Sequence, residues 1–542
     1  MRILARALII GAAITLTTLL HAQSFDLVIA NGRVIIDAAG LVVATTERAE
    51  AHQVAGPVVA GGSCESLISL KLPSATITMA KVEPAPGFTV MTGPYPRTRS
   101  IPDKCRVDAT LRPTSDSEIK MEVWMPMSNW NGKYQAVGNG AFNGNINANS
   151  MTTALARGYA TSSTDTGHTG GGASWALGHP EKVVDFGYRA MHETAVASKK
   201  IIESYYGNGP KFSYFNGCSA GGRQAMKAAQ GFPADFNGII AGAPGLDWTG
   251  RAAQAVRIAK HLEQNEGARL GQTQRLLLHS AVVASCDLID GVKDGVIENP
   301  KRCKFDPGVL ECKGADTASC LTPPQVETAR MIYSTAVNPK TKRAIHGLEP
   351  GSELGWTDLG WTASARATGL DQFRFLVFGD PSWDIQKFNF ESDIVIAEER
   401  NEAINALDPN LRPFISRGGK LISYHGWSDP QIAPAGVTQY YDRVVAELGD
   451  RNEVHDSYRL FMAPGMGHCS GGEGPNTFDM LTALERWVEA GMAPDYITAT
   501  ITRPTAMLDR SRPLCPYPQV AVYKGSGSTD EATNFACRLE SQ

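Results

Sequence analysis

Phe212-Ser213-Tyr214-Phe215-Asn216-Gly217-Cys218-Ser219-Ala220-Gly221-Gly222 reads as a short buried strand, a sharp glycine-rich turn and the start of a helix continuing to Gln230. Within it, Gly217-Cys218-Ser219-Ala220-Gly221 has the G-x-S-x-G spacing that lifts a serine hydroxyl out of a strand-to-helix turn. Such a pentapeptide alone is more often a simple turn. A serine hydroxyl is also a weak nucleophile: it needs a histidine to take its proton and a carboxylate to orient that histidine. Candidates lie downstream. Asp429 follows a strand-like segment, Lys420 to Tyr424, and His468 follows another, Tyr458 to Met462, in the turn Gly465-Met466-Gly467. All three residues therefore fall just past the carboxyl ends of strands, the edge where α/β folds place ligands. Cys218 precedes the serine and Cys469 follows the histidine.

Working outward, strand-like and helix-like segments alternate from about residue 116. Ile119 to Met125, Lys133 to Val137 and Gly238 to Ala243 read as strands, and Val183 to Tyr206 has helical spacing. This predicts an α/β fold with a largely parallel sheet covered by helices. The order Ser, Asp, His is the one used on the α/β-hydrolase fold. An oxyanion formed at the serine needs two N–H donors: Ala220 supplies one, and Gly138-Asn139-Gly140-Ala141 is the candidate loop for the second, from Ala141 or Gly140. His425, Asp442 and His455 compete for the partner roles but have no adjacent cysteine. His168, His179 and His192 precede the serine, so packing or capping is expected of them.

After Asp247 the pattern breaks into helices, clustered cysteines and a Trp- and Gly-rich stretch, and strands return at Lys420. A lid inserted over 248–412, about 165 residues, suits a compact unit. It contains Asp287, Asp290 and Asp294 interleaved with Gly291 and Gly295. Carboxylates at that spacing, with the carbonyls of Val292 and Val296, make a hard-oxygen set suited to Ca²⁺ rather than zinc, although a solvated acidic turn has the same signature. It is not an EF-hand.

With 542 residues, 43% hydrophobic and 20% charged, the composition is that of a globular protein, and a net charge of -4 gives no reason to expect nucleic acid or an anionic membrane as partner. Arg2 and Arg6, the apolar Ala7 to Leu20 and the small Ala22 predict a signal peptide over 1–22 and a secreted or periplasmic protein, with no membrane attachment after cleavage. Residues 23–60 form an extension whose Asn31-Gly32 predicts a hairpin. That stretch resembles the opening of amidohydrolases but brings no metal-ligand histidines. Ten cysteines in an exported chain are expected to be bonded, though spacing does not dictate the pairing.

Cys218-Ser219, Asp429 and His468-Cys469 together resemble the signature of the tannase and feruloyl esterase family. Ala160 to His168, Trp175 to Lys182 and Arg512 to Pro518 also look like its bacterial members, so the similarity runs from about Cys64 to Cys537. The resemblance implies an α/β-hydrolase catalytic domain in two parts, 61–247 and 413–542, around the lid, and a structural Ca²⁺ in it. It also implies the pairs Cys64 and Cys105, Cys218 and Cys469, Cys286 and Cys303, Cys312 and Cys320, Cys515 and Cys537. The expected activity is hydrolysis of small aromatic-acid esters through an acyl-enzyme, most simply feruloyl esters, with gallate esters or mono(2-hydroxyethyl) terephthalate as alternatives. Trp356, Trp361, Phe373, Phe375, Phe378 and Trp383 could pack an aromatic ring or form lid core, and Arg366 could pair with a free carboxylate. An inactive binding protein on the same scaffold, or a metalloenzyme using the Asp cluster, is the contrasting reading.

Overall fold

Nine strands form a mixed sheet in the computed structural model, which describes residues 62–87, 89–91, 98–314, 319–358, 368–501 and 510–540. The strands are β1 (Ala75–Glu83), β2 (Lys104–Leu111), β3 (Ile119–Pro126), β4 (Lys133–Val137), β5 (Ala160–Thr164), β6 (Phe212–Cys218), β7 (Gly238–Gly242), β8 (Lys420–Gly426) and β9 (Tyr458–Ala463). Their order across the sheet is β1-β2-β3-β5-β4-β6-β7-β8-β9. The expected signal peptide at 1–22 and the extension at 23–60 lie outside the described residues.

From β5 to β9 every neighbouring pair is parallel, whereas β1, β2, β3 and β5 pair antiparallel. The sheet is thus less uniformly parallel than the sequence suggests. The antiparallel edge follows from connection length: β2 and β3 are joined by a short link, and a parallel neighbour needs a crossover of about a dozen residues or more. The parallel half is buried on both faces, with β7 and β9 wholly inside. Phe215, Ile239, Leu421 and Leu460 lie in its main hydrophobic cluster, each contributing roughly 1.5–3 kcal/mol by burial.

The helix expected over Val183 to Tyr206 is interrupted. A short helix, Pro180–Val184, passes through a π-helical turn, Asp185–Arg189, before α1 (Ala190–Tyr206). Here the carbonyls of Phe186 and Gly187 accept hydrogen bonds from the buried Arg223 guanidinium, which sits on α2 (Ala220–Gly231), the helix after Ser219.

The segment 248–412 builds hydrophobic clusters of its own. Its first helix, α3 (Trp248–Gln264), is buried on most of its surface because clusters form on two sides. One gathers Ile258, Leu278, Val282, Ile332 and Trp356 with α4 (Gln272–Cys286) and α5 (Pro323–Tyr333). The other gathers Val256, Phe373, Val377, Trp383 and Phe388. Trp356, Phe373 and Trp383 are therefore core of this segment, as is the partly buried Phe378, which stacks on Trp383 at 5.5 Å. Trp361 and Arg366 lie outside the described residues.

All ten cysteines are bonded, as Cys64–Cys105, Cys218–Cys469, Cys286–Cys303, Cys312–Cys320 and Cys515–Cys537. Five disulfides fit an oxidising environment. Among the described residues no helix is long and apolar enough to cross a membrane.

Candidate active site

Strands β6, β7, β8 and β9 run side by side with their ends level: Cys218 pairs with Gly242, Gly242 with Tyr424, and Gly426 with Ala463. Ser219, Asp429 and His468 consequently leave the sheet along one edge. Ser219 adopts φ 64° and ψ -121°, a left-handed conformation unfavourable for a residue with a Cβ. Its N–H donates to Gly242 O at 2.9 Å, and its carbonyl accepts from Arg223 and Gly245. Sterics explain the neighbouring glycines. A Cβ at Gly217 would lie 2.5 Å from Gly221 O, and one at Gly138 would lie 2.4 Å from Gly221 Cα.

That second contact places the Gly138–Ala141 loop against the elbow. Gln224 of α2 locks it: Asn139 N–H donates to Gln224 Oε1 at 3.0 Å, and Gln224 Nε2 donates to Asn139 Oδ1 at 3.2 Å. Asn139 Nδ2 donates in turn to Asn145 O and Thr164 O. Ala220 opens α2, so its N–H has no acceptor within the helix. The N–H groups of Gly140 and Ala141 have no hydrogen-bond acceptor among the described residues, and Ala141 has φ 45°. Unpaired backbone N–H groups are the kind of donor that stabilises an oxyanion.

Asp429 is fully buried. Its Oδ1 accepts from the N–H groups of Gln431 and Ile432 at 2.8 and 3.0 Å. Its Oδ2 lies 2.7 Å from His468 Nδ1 and 3.0 Å from His425 Nε2. Burial by itself would raise the carboxyl pKa, but the charge of His468 and the hydrogen bonds of both histidines hold it well below the usual carboxylate range. His468 Nε2 is buried and has no hydrogen-bond partner among the described residues. One ring nitrogen is thus fixed by a carboxylate and the other remains available to a hydroxyl. Cys218–Cys469 ties the residue before Ser219 to the residue after His468 across 251 positions.

The upstream histidines are occupied elsewhere. His168 stacks on Trp175 and bonds Phe142 O, His179 pairs with Asp116, and His192 pairs with Asp235.

The sequence profile of the family described as "Tannase and feruloyl esterase" matches residues 105–538. The chain belongs to that family. An uncharacterized esterase of Xanthomonas campestris pv. campestris is 39% identical over 532 residues, covering 88% of this chain and 91% of that relative. A probable feruloyl esterase B-2 of Aspergillus terreus is 31% identical, covering 80% and 86%. The crystal structure of feruloyl esterase B from Aspergillus oryzae superposes with a TM-score of 0.81 at 31% identity, over 88% of this chain and 99% of that one. Tannin acyl hydrolase from Aspergillus niger shares the fold, with a TM-score of 0.70 at 21% identity. The protein is a carboxylesterase of the tannase and feruloyl esterase type on an α/β-hydrolase fold.

The acidic loop after Cys286 is held by backbone donors. Asp287 Oδ1 accepts from Asp294 and Gly295 N–H, Asp290 Oδ1 from Val292 N–H, and Asp294 Oδ1 from Val296 N–H. Asp294 Oδ2 also meets Arg512. Burial, with Asp294 and Asp287 adding repulsion, pushes Asp290 up to about 6, and burial pushes the neighbouring Glu298 up to about 8. Crowded carboxylates of this kind fit a hard divalent cation in charge and donor type. Among the described residues no three acidic, thiol or imidazole side chains converge as a ready ligand set.

Sequence reasoning missed the parts whose partners are remote. Arg223 and Gln224 carry no local signal beyond lying four and five residues after Ser219, whereas His425, weighed in the sequence for the partner roles, is a second histidine on Asp429.

Proposed function

We propose that this esterase cleaves hydroxycinnamoyl esters of the feruloyl type through an acyl-enzyme on Ser219. His468, held by Asp429 at 2.7 Å with Nε2 unpartnered, is the observation that carries the reading. Ser219 Oγ attacks the ester carbonyl carbon as its proton passes to His468 Nε2. The carbonyl oxygen becomes an oxyanion stabilised by the N–H of Ala220 and that of Ala141 or Gly140. Collapse of the intermediate expels the alcohol, which takes the proton from His468. Water, deprotonated by the same nitrogen, then releases the acid. Asp429 stays anionic throughout and stabilises the imidazolium.

The feruloyl preference is supported by the relatives named feruloyl esterase at about the same identity as the Aspergillus oryzae structure. A panel of methyl ferulate, methyl gallate, mono(2-hydroxyethyl) terephthalate and a short alkyl ester, compared by kcat/KM, tests it. Methyl ferulate is expected to lead. A tenfold lead for the alkyl ester would remove the aromatic-acid reading. Inactivation by a serine-directed phosphonate separates a working hydrolase from an inert binding scaffold.

Two further assignments belong to this reading. The chain is exported through its first 22 residues, which the five disulfides support. A structural Ca²⁺ is held by Asp287, Asp290 and Asp294 with the carbonyls of Val292 and Val296, and the burial of Asp290 beside Asp294 and Asp287 supports it.

A further inference from the structure

We propose that His279 is a positioning residue for the esterase reaction, its imidazole clamping the loop that carries His468 to the lid through Glu473 and Glu353. The loop is a tight excursion between β9 and α6 (Met480–Ala490). Gly467 N–H donates to Gly471 O, and the N–H groups of Glu473 and Gly474 fold back onto Gly465 O. His468 and Cys469 occupy its outward limb and Glu473 its returning limb. Glu473 Oε2 lies 2.6 Å from His279 Nε2, on α4 of the lid. The other ring nitrogen, Nδ1, lies 2.7 Å from Glu353 Oε2.

Glu353 is wholly buried, and its second oxygen accepts from Tyr333 Oη at 2.6 Å and Gly351 N–H at 2.7 Å. The turn that carries it also packs on the residues flanking Asp429: a Cβ at Gly355 would come within 2.5 Å of Pro430, and one at Gly351 within 3.5 Å of Ser428 Oγ. One lid turn therefore buttresses the loop of the triad carboxylate directly and the loop of the base through His279.

Two carboxylates on the two ring nitrogens can both be satisfied only by an imidazolium, because a neutral ring has a single N–H. Burial lowers the pKa of His279, but the hydrogen bonds and charges of Glu353 and Glu473 outweigh it and raise it to about 9. These are the charged groups that face the ring, from the lid turn and from the base loop, with Tyr333 of α5 behind Glu353. When the imidazolium loses its proton, the remaining N–H stays with Glu353, which has no access to water. Glu473 is half exposed, so it is the end that gives up its hydrogen bond to the ring. The folded-state pKa is raised, so the clamp is complete below the ordinary value of 6.5 and is lost as pH rises through about 9.

The inference rests on reading Ser219, Asp429 and His468 as the triad, and the test separates the two. Wild type, Glu473→Gln, His279→Gln and the double variant are assayed on methyl ferulate from pH 6 to 10, with melting temperatures, beside Ser219→Ala and His468→Ala. Glu473→Gln alters only the half-exposed end, so it keeps the test meaningful if His279→Gln strands Glu353 and fails to fold. Expected are a fall in wild-type kcat centred near pH 9, and for Glu473→Gln a severalfold lower kcat with KM within twofold. Loss of one facing carboxylate should also move the alkaline limb acidward by about one unit or more. Unchanged kcat in Glu473→Gln, or a lower kcat with an unmoved alkaline limb, overturns the clamp while the triad variants stay inactive. Activity in Ser219→Ala or His468→Ala instead overturns the triad on which it rests.

Discussion

Ser219 is held in a backbone conformation that a side-chain-bearing residue avoids, and the energy for this comes from the elbow packed around it. Ser219→Ala and His468→Ala should each retain the fold and lower kcat by roughly 10⁴ to 10⁶, since triad members act as a unit. Stopped assays with matched circular dichroism spectra check this. Asp429 offers a prediction of a different kind. Its folded-state pKa is depressed, so its contribution to stability is fully present above the ordinary value of 3.8 and is lost as pH falls through the lower folded value. The melting temperature of wild type should therefore drop more steeply below about pH 4 than that of Asp429→Asn, with the two curves parallel at higher pH.

At the scale of elements, the end of β6 and the loop after β9 are held together by Cys218–Cys469 in addition to the sheet between them. Closing 251 residues removes unfolded-state freedom worth about 5 kcal/mol in the chain-entropy model. Replacing both cysteines with alanine should lower the melting temperature by several degrees and lower kcat more than it raises KM, because the serine and its base lose a fixed spacing. Thermal melts and steady-state kinetics on the purified double variant measure both. The Gly138–Ala141 loop follows the same logic without a covalent bond: Gln224 grips Asn139 from the helix that begins one residue after Ser219.

Over the whole molecule, the acidic loop joins the 248–412 segment to residues 510–537. Arg510 and Arg512 reach Asp294, Glu298 accepts from Ala521 N–H, and Val292 packs with Cys515, Ala521 and Phe535. A Ca²⁺ bound there only in the folded state would stabilise the protein by mass action. Chelation should lower the melting temperature and readdition of calcium should restore it, while kcat measured well below the melting temperature stays within about twofold if the ion carries no chemistry. Elemental analysis of the dialysed protein without calcium would end this assignment.

Short words and their order were legible in the chain alone. The elbow around Ser219, the placement of Asp429 and His468 after strands, and the α/β alternation rest on local sterics and hydrophobic periodicity, which a few neighbouring residues specify. Four donors converging on Asp429, the antiparallel edge from β1 to β5, and the commitment of Trp356, Phe373 and Trp383 to core were decided by tertiary structure. So was the bridge from His279 to Glu353 and Glu473, whose members stand 74 and 194 residues apart. Such contacts leave no periodic trace. A hydrogen bond between distant loops depends on how the sheet orders its strands and where the 248–412 segment packs against them, and no single segment of the chain carries that information.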